Sequence, residues 1–77
     1  MNKLIYLDSD GDPVIPTKRG DSICVGLTDA MYGEPSPRLF IKFKSGTLSI
    51  YLTREEGAAL LEALQMVMDK VAEGGDE

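Results

Sequence analysis

Apolar and polar positions alternate along most of this chain, and the period changes once, near Thr53. Arg38-Leu39-Phe40-Ile41-Lys42-Phe43-Lys44 and Thr47-Leu48-Ser49-Ile50-Tyr51-Leu52-Thr53 both alternate, as strands do when successive side chains point to opposite faces. Ser45-Gly46 lies between them, and a two-residue loop in which Gly supplies a positive φ predicts a tight hairpin. That turn pairs Lys44 with Thr47, so that Phe43 faces Leu48, Ile41 faces Ile50 and Leu39 faces Leu52 on one apolar face. The opposite face carries Arg38, Phe40, Lys42, Lys44, Thr47, Ser49 and Tyr51, with Phe40 and Tyr51 as cross-strand partners.

Beyond Thr53 the period lengthens to that of a helix. Thr53-Arg54-Glu55-Glu56 reads as a capping box opening a helix over about 54–73, which stops at Gly74-Gly75. Gly57, Leu60, Leu61, Leu64, Met68 and Val71 fall on one stripe, expected to lie on the apolar face of the hairpin. Gly costs about 1 kcal/mol in a helix interior, so its place in the stripe predicts a close backbone approach to the sheet. Ala59, Ala63, Met66 and Lys70 form a second, smoother strip on the far side.

Upstream, the pattern predicts strands at about 3–7, 13–16 and 22–28. Asp10-Gly11 is a hairpin signal that sets Leu7 against Val14 and Tyr6 against Ile15. Pro13 and Pro16 cannot donate to a ladder, which makes the second strand short and an edge. In the third, Ile23, Val25 and Leu27 share the core face, while Cys24 and Gly26 leave the other face shallow. A long loop over 29–37 follows and carries Met31 and Tyr32. The fold class is therefore α+β: a small antiparallel sheet of four to five strands, at about 3–7, 13–16, 22–28, 38–44 and 47–53, with one C-terminal helix packed on one face. Residues 1–77 read as a single domain with a frayed tail at 74–77, without internal repeats or low-complexity tracts.

Composition narrows the chemistry. The chain has 77 residues, one cysteine, no histidine and no tryptophan. Without His there is no Ser-His-Asp or Cys-His nucleophilic site, and one Cys cannot build a Cys₄ or Cys₂His₂ zinc centre. No glycine pattern matches a phosphate-cradling loop. Asp8, Asp10 and Asp12 begin like a calcium loop, but Gly arrives at the fourth position, Pro13 follows and no Glu closes the loop, so they read as turn formers. The expectation is a non-enzymatic protein with no cofactor and no metal. Cys24 has no partner for a disulfide, which suits a reducing compartment, and no secretory or membrane signal is visible, so the protein is expected to be soluble and cytoplasmic. A net charge of −5 disfavours nucleic acid as a whole, although a local basic patch can override it.

What remains is surface. A helix is about 10–12 Å wide and strands are about 4.8 Å apart, so one helix covers two or three strands and leaves part of this sheet for a partner or a second copy. Arg38, Phe40, Lys42, Lys44 and Tyr51, with Met31 and Tyr32 in the loop, are the candidate residues for a larger protein partner. Ala59, Ala63, Met66 and Lys70 are the candidates for self-association as a homodimer. Size and composition match small regulators and stoichiometric inhibitors, such as those phages make against host defence enzymes. The alternatives are a nucleic-acid-binding module, which would stack bases on Phe40 and Tyr51 among the basic residues, and a structural or assembly subunit.

Overall fold

In a computed structural model that describes residues 2–74, five strands cross one antiparallel sheet in chain order and a single helix follows them. They are β1 (Tyr6–Leu7), β2 (Pro13–Pro16), β3 (Ser22–Thr28), β4 (Ser36–Phe43), β5 (Gly46–Tyr51) and α1 (Arg54–Ala72). The α+β class expected from the pattern is the class observed. Gly75 and the acidic tail of Asp76 and Glu77 lie outside the described residues. No described helix is long and apolar enough to cross a membrane.

Two of the predicted registers shift, with different consequences. At the β4–β5 turn the loop residues are Lys44 and Ser45, so Phe43 pairs with Gly46, Ile41 with Leu48 and Leu39 with Ile50. No described non-glycine residue takes a positive φ, so Lys44 and Ser45 do not form the turn with two positive-φ central residues. The shift is two residues, which preserves every face. It does separate the expected Phe40–Tyr51 pair: Phe40 opposes Ser49, and Tyr51 opposes Arg38.

At the β1–β2 turn the shift is one residue, so the strand turns over. Tyr6 pairs with Val14 and Leu7 with Pro13. The cause is a loop of three residues rather than two: Ser9, Asp10 and Gly11, with Gly11 at φ 84°. The Gly11 N–H donates to the Asp8 carbonyl at 3.0 Å and the Asp8 N–H to the Asp12 carbonyl at 2.9 Å. The β2–β3 turn repeats the construction. Gly20 sits at φ 100°, its N–H donates to the Thr17 carbonyl at 3.1 Å, and the Thr17 N–H donates to the Asp21 carbonyl at 2.9 Å. In both loops the first side chain accepts from the N–H of the fifth residue, Asp8 Oδ1 from Asp12 at 3.0 Å and Thr17 Oγ1 from Asp21 at 3.1 Å. A short Asp/Thr-x-x-Gly-Asp echo is thus present in the sequence, below the scale of a domain repeat.

With these registers, Ile15, Ile23, Ile41 and Leu48 form one row across four strands, and Val25, Leu39 and Ile50 form the next. Leu27 and Phe43 extend this apolar face at its two ends. The helix begins as expected: Thr53 Oγ1 accepts from the Glu56 N–H at 3.1 Å while Glu56 Oε1 accepts from the Thr53 N–H at 2.9 Å. It does not lie along the apolar face. Of the strands, only β4 comes within close backbone reach of α1, at the joint where Gly57 meets Pro37. Leu61, Leu64, Met68 and Val71 are exposed, as are Phe43, Leu48 and Ile50 on the sheet. Among the described residues the only buried large apolar side chain is Val14, at 6 % exposure, and it lies on the opposite face.

Candidate functional site

Small residues at Cys24 and Gly26 create room on that opposite face, and the β1–β2 turn fills part of it. Asp12 Oδ2 lies 3.3 Å from where a side-chain carbon at Gly26 would stand, so a larger residue there would require the Asp12 side chain to give by a few tenths of an ångström. Asp8 folds over the neighbouring position. Its Oδ1 accepts from the Asp10 and Asp12 N–H groups at 2.9 and 3.0 Å, and its Oδ2 accepts from the Cys24 thiol at 3.7 Å.

This arrangement explains the displaced titrations of Asp8 and Cys24. The Asp12 N–H, then those of Asp10 and Gly11 together with the Cys24 thiol, hold the Asp8 carboxyl below the usual aspartate range. Stabilisation from Asp8 is therefore complete above about pH 4 and is lost as the pH falls through the lowered folded-state value. For Cys24, removal from water comes first and the charge and hydrogen bond of Asp8 next; both push the thiol up. A raised thiol is protonated at neutral pH and is a poor nucleophile. Alkylation of Cys24 by iodoacetamide at pH 8 is expected to be slower than that of a free thiol and several-fold faster in Asp8→Asn. Equal rates in the two proteins would show that Asp8 does not control the thiol.

Asp8, Asp12 and Cys24 bring three potential ligand atoms within 4.8 Å of one another. Asp10, the middle member of the sequence trio, is not among them. The Asp8 carboxylate already serves the turn, and the thiol must lose its proton before it can bind a cation. The cluster does what turn formers do: it holds the loop against β3.

Beside it runs a shallow groove of about 170 Å³ lined by Tyr6, Asp8, Val14, Ser22, Cys24, Phe40 and Lys42. Three adjacent strands align Val14, Cys24 and Phe40 in one row, and the one-residue shift of β1 brings Tyr6 to the same row. Aromatic walls stand on two sides, a carboxylate lies at one end and a lysine at the other. Arg38, in the neighbouring row, reaches over the same face: its guanidinium carbon is 5.2 Å from the centre of the Phe40 ring, a cation–π contact. Its Nε is shut off from water without a hydrogen-bond partner. No family model, curated protein or solved structure matches this chain, so its function has to be read from this geometry.

The remaining candidates are dispersed. Lys44 sits in the β4–β5 turn, away from the groove. Tyr32 reaches back from the loop and donates from its hydroxyl to the Tyr51 carbonyl at 3.1 Å, while Met31 stays exposed. The same loop is tied to the helix start, where Arg54 Nε donates to the Pro35 carbonyl at 2.8 Å. A larger hollow of about 280 Å³ at Leu27, Thr28, Asp29 and Pro35 offers one charged group and no converging set. Ala59, Ala63, Met66 and Lys70 are all exposed, but no more so than the rest of the helix. Sequence reasoning grouped Phe40, Lys42 and Arg38 but missed Tyr6, Asp8 and Val14. The signal was Gly11: a glycine closing a three-residue loop turns β1 over and delivers Tyr6 to this face.

Proposed function

We propose that this chain is a non-catalytic protein-binding module, a small regulator or stoichiometric inhibitor that acts by occupying a surface on a larger protein. The observation that carries this reading is the groove between Tyr6 and Phe40 with Lys42 at its rim. Its apolar floor and aromatic walls suit an inserted side chain, and aromatics and arginine are the residue types that dominate protein interfaces. A protein partner fits this surface better than a nucleic acid does. Arg38 already covers one side of the Phe40 ring, which removes a stacking platform, and Lys44 is displaced into the turn.

The test compares the native chain with Tyr6→Ala and Lys42→Glu as immobilised baits for lysate of its own cells. Tyr6 is 53 % exposed and Lys42 is also exposed, so both variants keep the fold. The expected result is a protein retained in near-equal molar amount by the native chain and reduced at least about tenfold by each variant, the loss of a 1.4 kcal/mol contact. Retention of the same proteins by all three baits would overturn the reading.

A further inference from the structure

The apolar face of the sheet and the helix that stands off it are each half of a core. Three observations bear on what completes them. The first is area. A compact folded chain of 8.4 kDa has an accessible surface of about 4,600 Å², whereas this one has 6206 Å². The excess is about 1,600 Å² per chain, within the range of obligate homodimers, which bury about 2,000–5,000 Å² over both partners. The radius of gyration, 14.1 Å, likewise exceeds the roughly 11–12 Å of a compact chain of this length.

The second is where the apolar surface lies. The sheet exposes Leu27, Phe43, Leu48 and Ile50, and the helix exposes Leu60, Leu61, Leu64, Met66, Val67, Met68 and Val71. These are a sheet face without a helix and a helix without a sheet, in equal numbers on every copy.

The third is the girth of the helix. At about 100° per residue, Glu62, Gln65, Asp69 and Glu73 occupy a flank of roughly 80°, and the stripe and the Ala59–Ala63–Met66 strip together fill most of the remainder. A helix apolar over so much of its circumference packs on more than one side. Two chains supply two helices for two sheet faces, one helix to each face, and leave the second apolar side of each helix for the other helix.

We infer that two copies associate about a two-fold axis, the helix of each covering the apolar sheet face of the other through Leu61, Leu64, Met68 and Val71. The two helices run alongside one another through the Ala59–Ala63–Met66 strip, and the polar flank faces water. The exchange is reciprocal, so the assembly closes at two. It leaves the groove at Tyr6 and Phe40 open on the outer face of each sheet, and it stands whether or not that groove binds a partner.

The decisive experiment is light scattering with size-exclusion chromatography on the intact chain, joined to NMR of a mixture of isotope-labelled and unlabelled copies. The expected mass is twice 8.4 kDa, the melting temperature rises with protein concentration, and intermolecular contacts connect the methyls of Ile41 and Leu48 with those of Leu64 and Met68. Leu64→Glu raises the dimer dissociation constant by at least about 100-fold, while Glu62→Lys on the polar flank leaves it unchanged. A monomer of 8.4 kDa at millimolar concentration overturns the inference. So does a dimer in which the sheet methyls contact only the helix of their own chain, since the NMR readout distinguishes these outcomes even where Leu64→Glu fails to fold.

Discussion

Val14→Asp is expected to leave the chain unfolded at room temperature, with the strand signal lost from its circular dichroism. Val14 is the one large apolar side chain of the described residues that is buried within a single copy, at 6 % exposure. It sits at the crossing of β1, β2 and β3, opposite Tyr6 on one side and Cys24 on the other. Removing two methyl-sized groups with Val14→Ala costs about 2 kcal/mol. An aspartate there costs more than about 4 kcal/mol, because it buries a charge without a partner. Its neighbours make the site worse for an anion: Asp8 and Asp12 both lie over this part of the sheet. A domain of this length holds about 4–12 kcal/mol in all, so the charged variant consumes most or all of it. Urea titration followed by far-UV circular dichroism checks both variants. A Val14→Asp protein with a native transition midpoint would show that the β1–β2 hairpin does not depend on this contact.

Much of the fold could be read from alternation alone, because period-two and period-3.6 patterns need no knowledge of what they pack against. Ile41 and Leu48, Leu39 and Ile50 share a face whichever even register is chosen, so the β4–β5 shift of two residues cost nothing in the reading of faces. The β1–β2 hairpin shows the limit. Asp10-Gly11 suits a two-residue turn and the end of a three-residue loop equally well, and only the hydrogen bonds of Asp8 and Gly11 decide between them. One residue of difference moves Tyr6 from one face to the other, and with it half of the groove. What a stripe covers is likewise not written in its spacing. The Leu61–Leu64–Met68 stripe is legible as apolar, but its position relative to Ile41 and Leu48 is set at the joint between β4 and α1, where Gly57 meets Pro37.

That joint is the subject of the second large expected effect. Gly57→Ala is expected to destabilise the protein, reversing the usual benefit of replacing glycine inside a helix. The usual gain is about 1 kcal/mol. At this site an added side-chain carbon would stand 2.6 Å from Pro37 Cγ and 3.6 Å from Pro37 Cδ, closer than carbon atoms pack. Pro37 cannot swing aside, because its ring is closed onto the β4 backbone and its carbonyl accepts from the Leu52 N–H at 3.0 Å. The helix must shift instead, against the Arg54 tether to Pro35 and the Thr53 cap. Overpacking of this kind costs about 1–3 kcal/mol, which outweighs the propensity gain, so thermal unfolding should fall by several degrees for a domain of this size. Pro37→Ala removes the obstacle, and the double variant should regain stability, with a coupling energy of about 0.5–3 kcal/mol. Additive effects in that cycle, or a Gly57→Ala protein more stable than the native chain, would mean that the ring and the helix do not touch. Because this contact aims the whole of α1, the same variant also changes where Leu61 and Leu64 are presented. It should therefore weaken self-association as well as stability, although residue 57 lies a full turn before Leu61, the first residue placed in the helix-on-sheet contact.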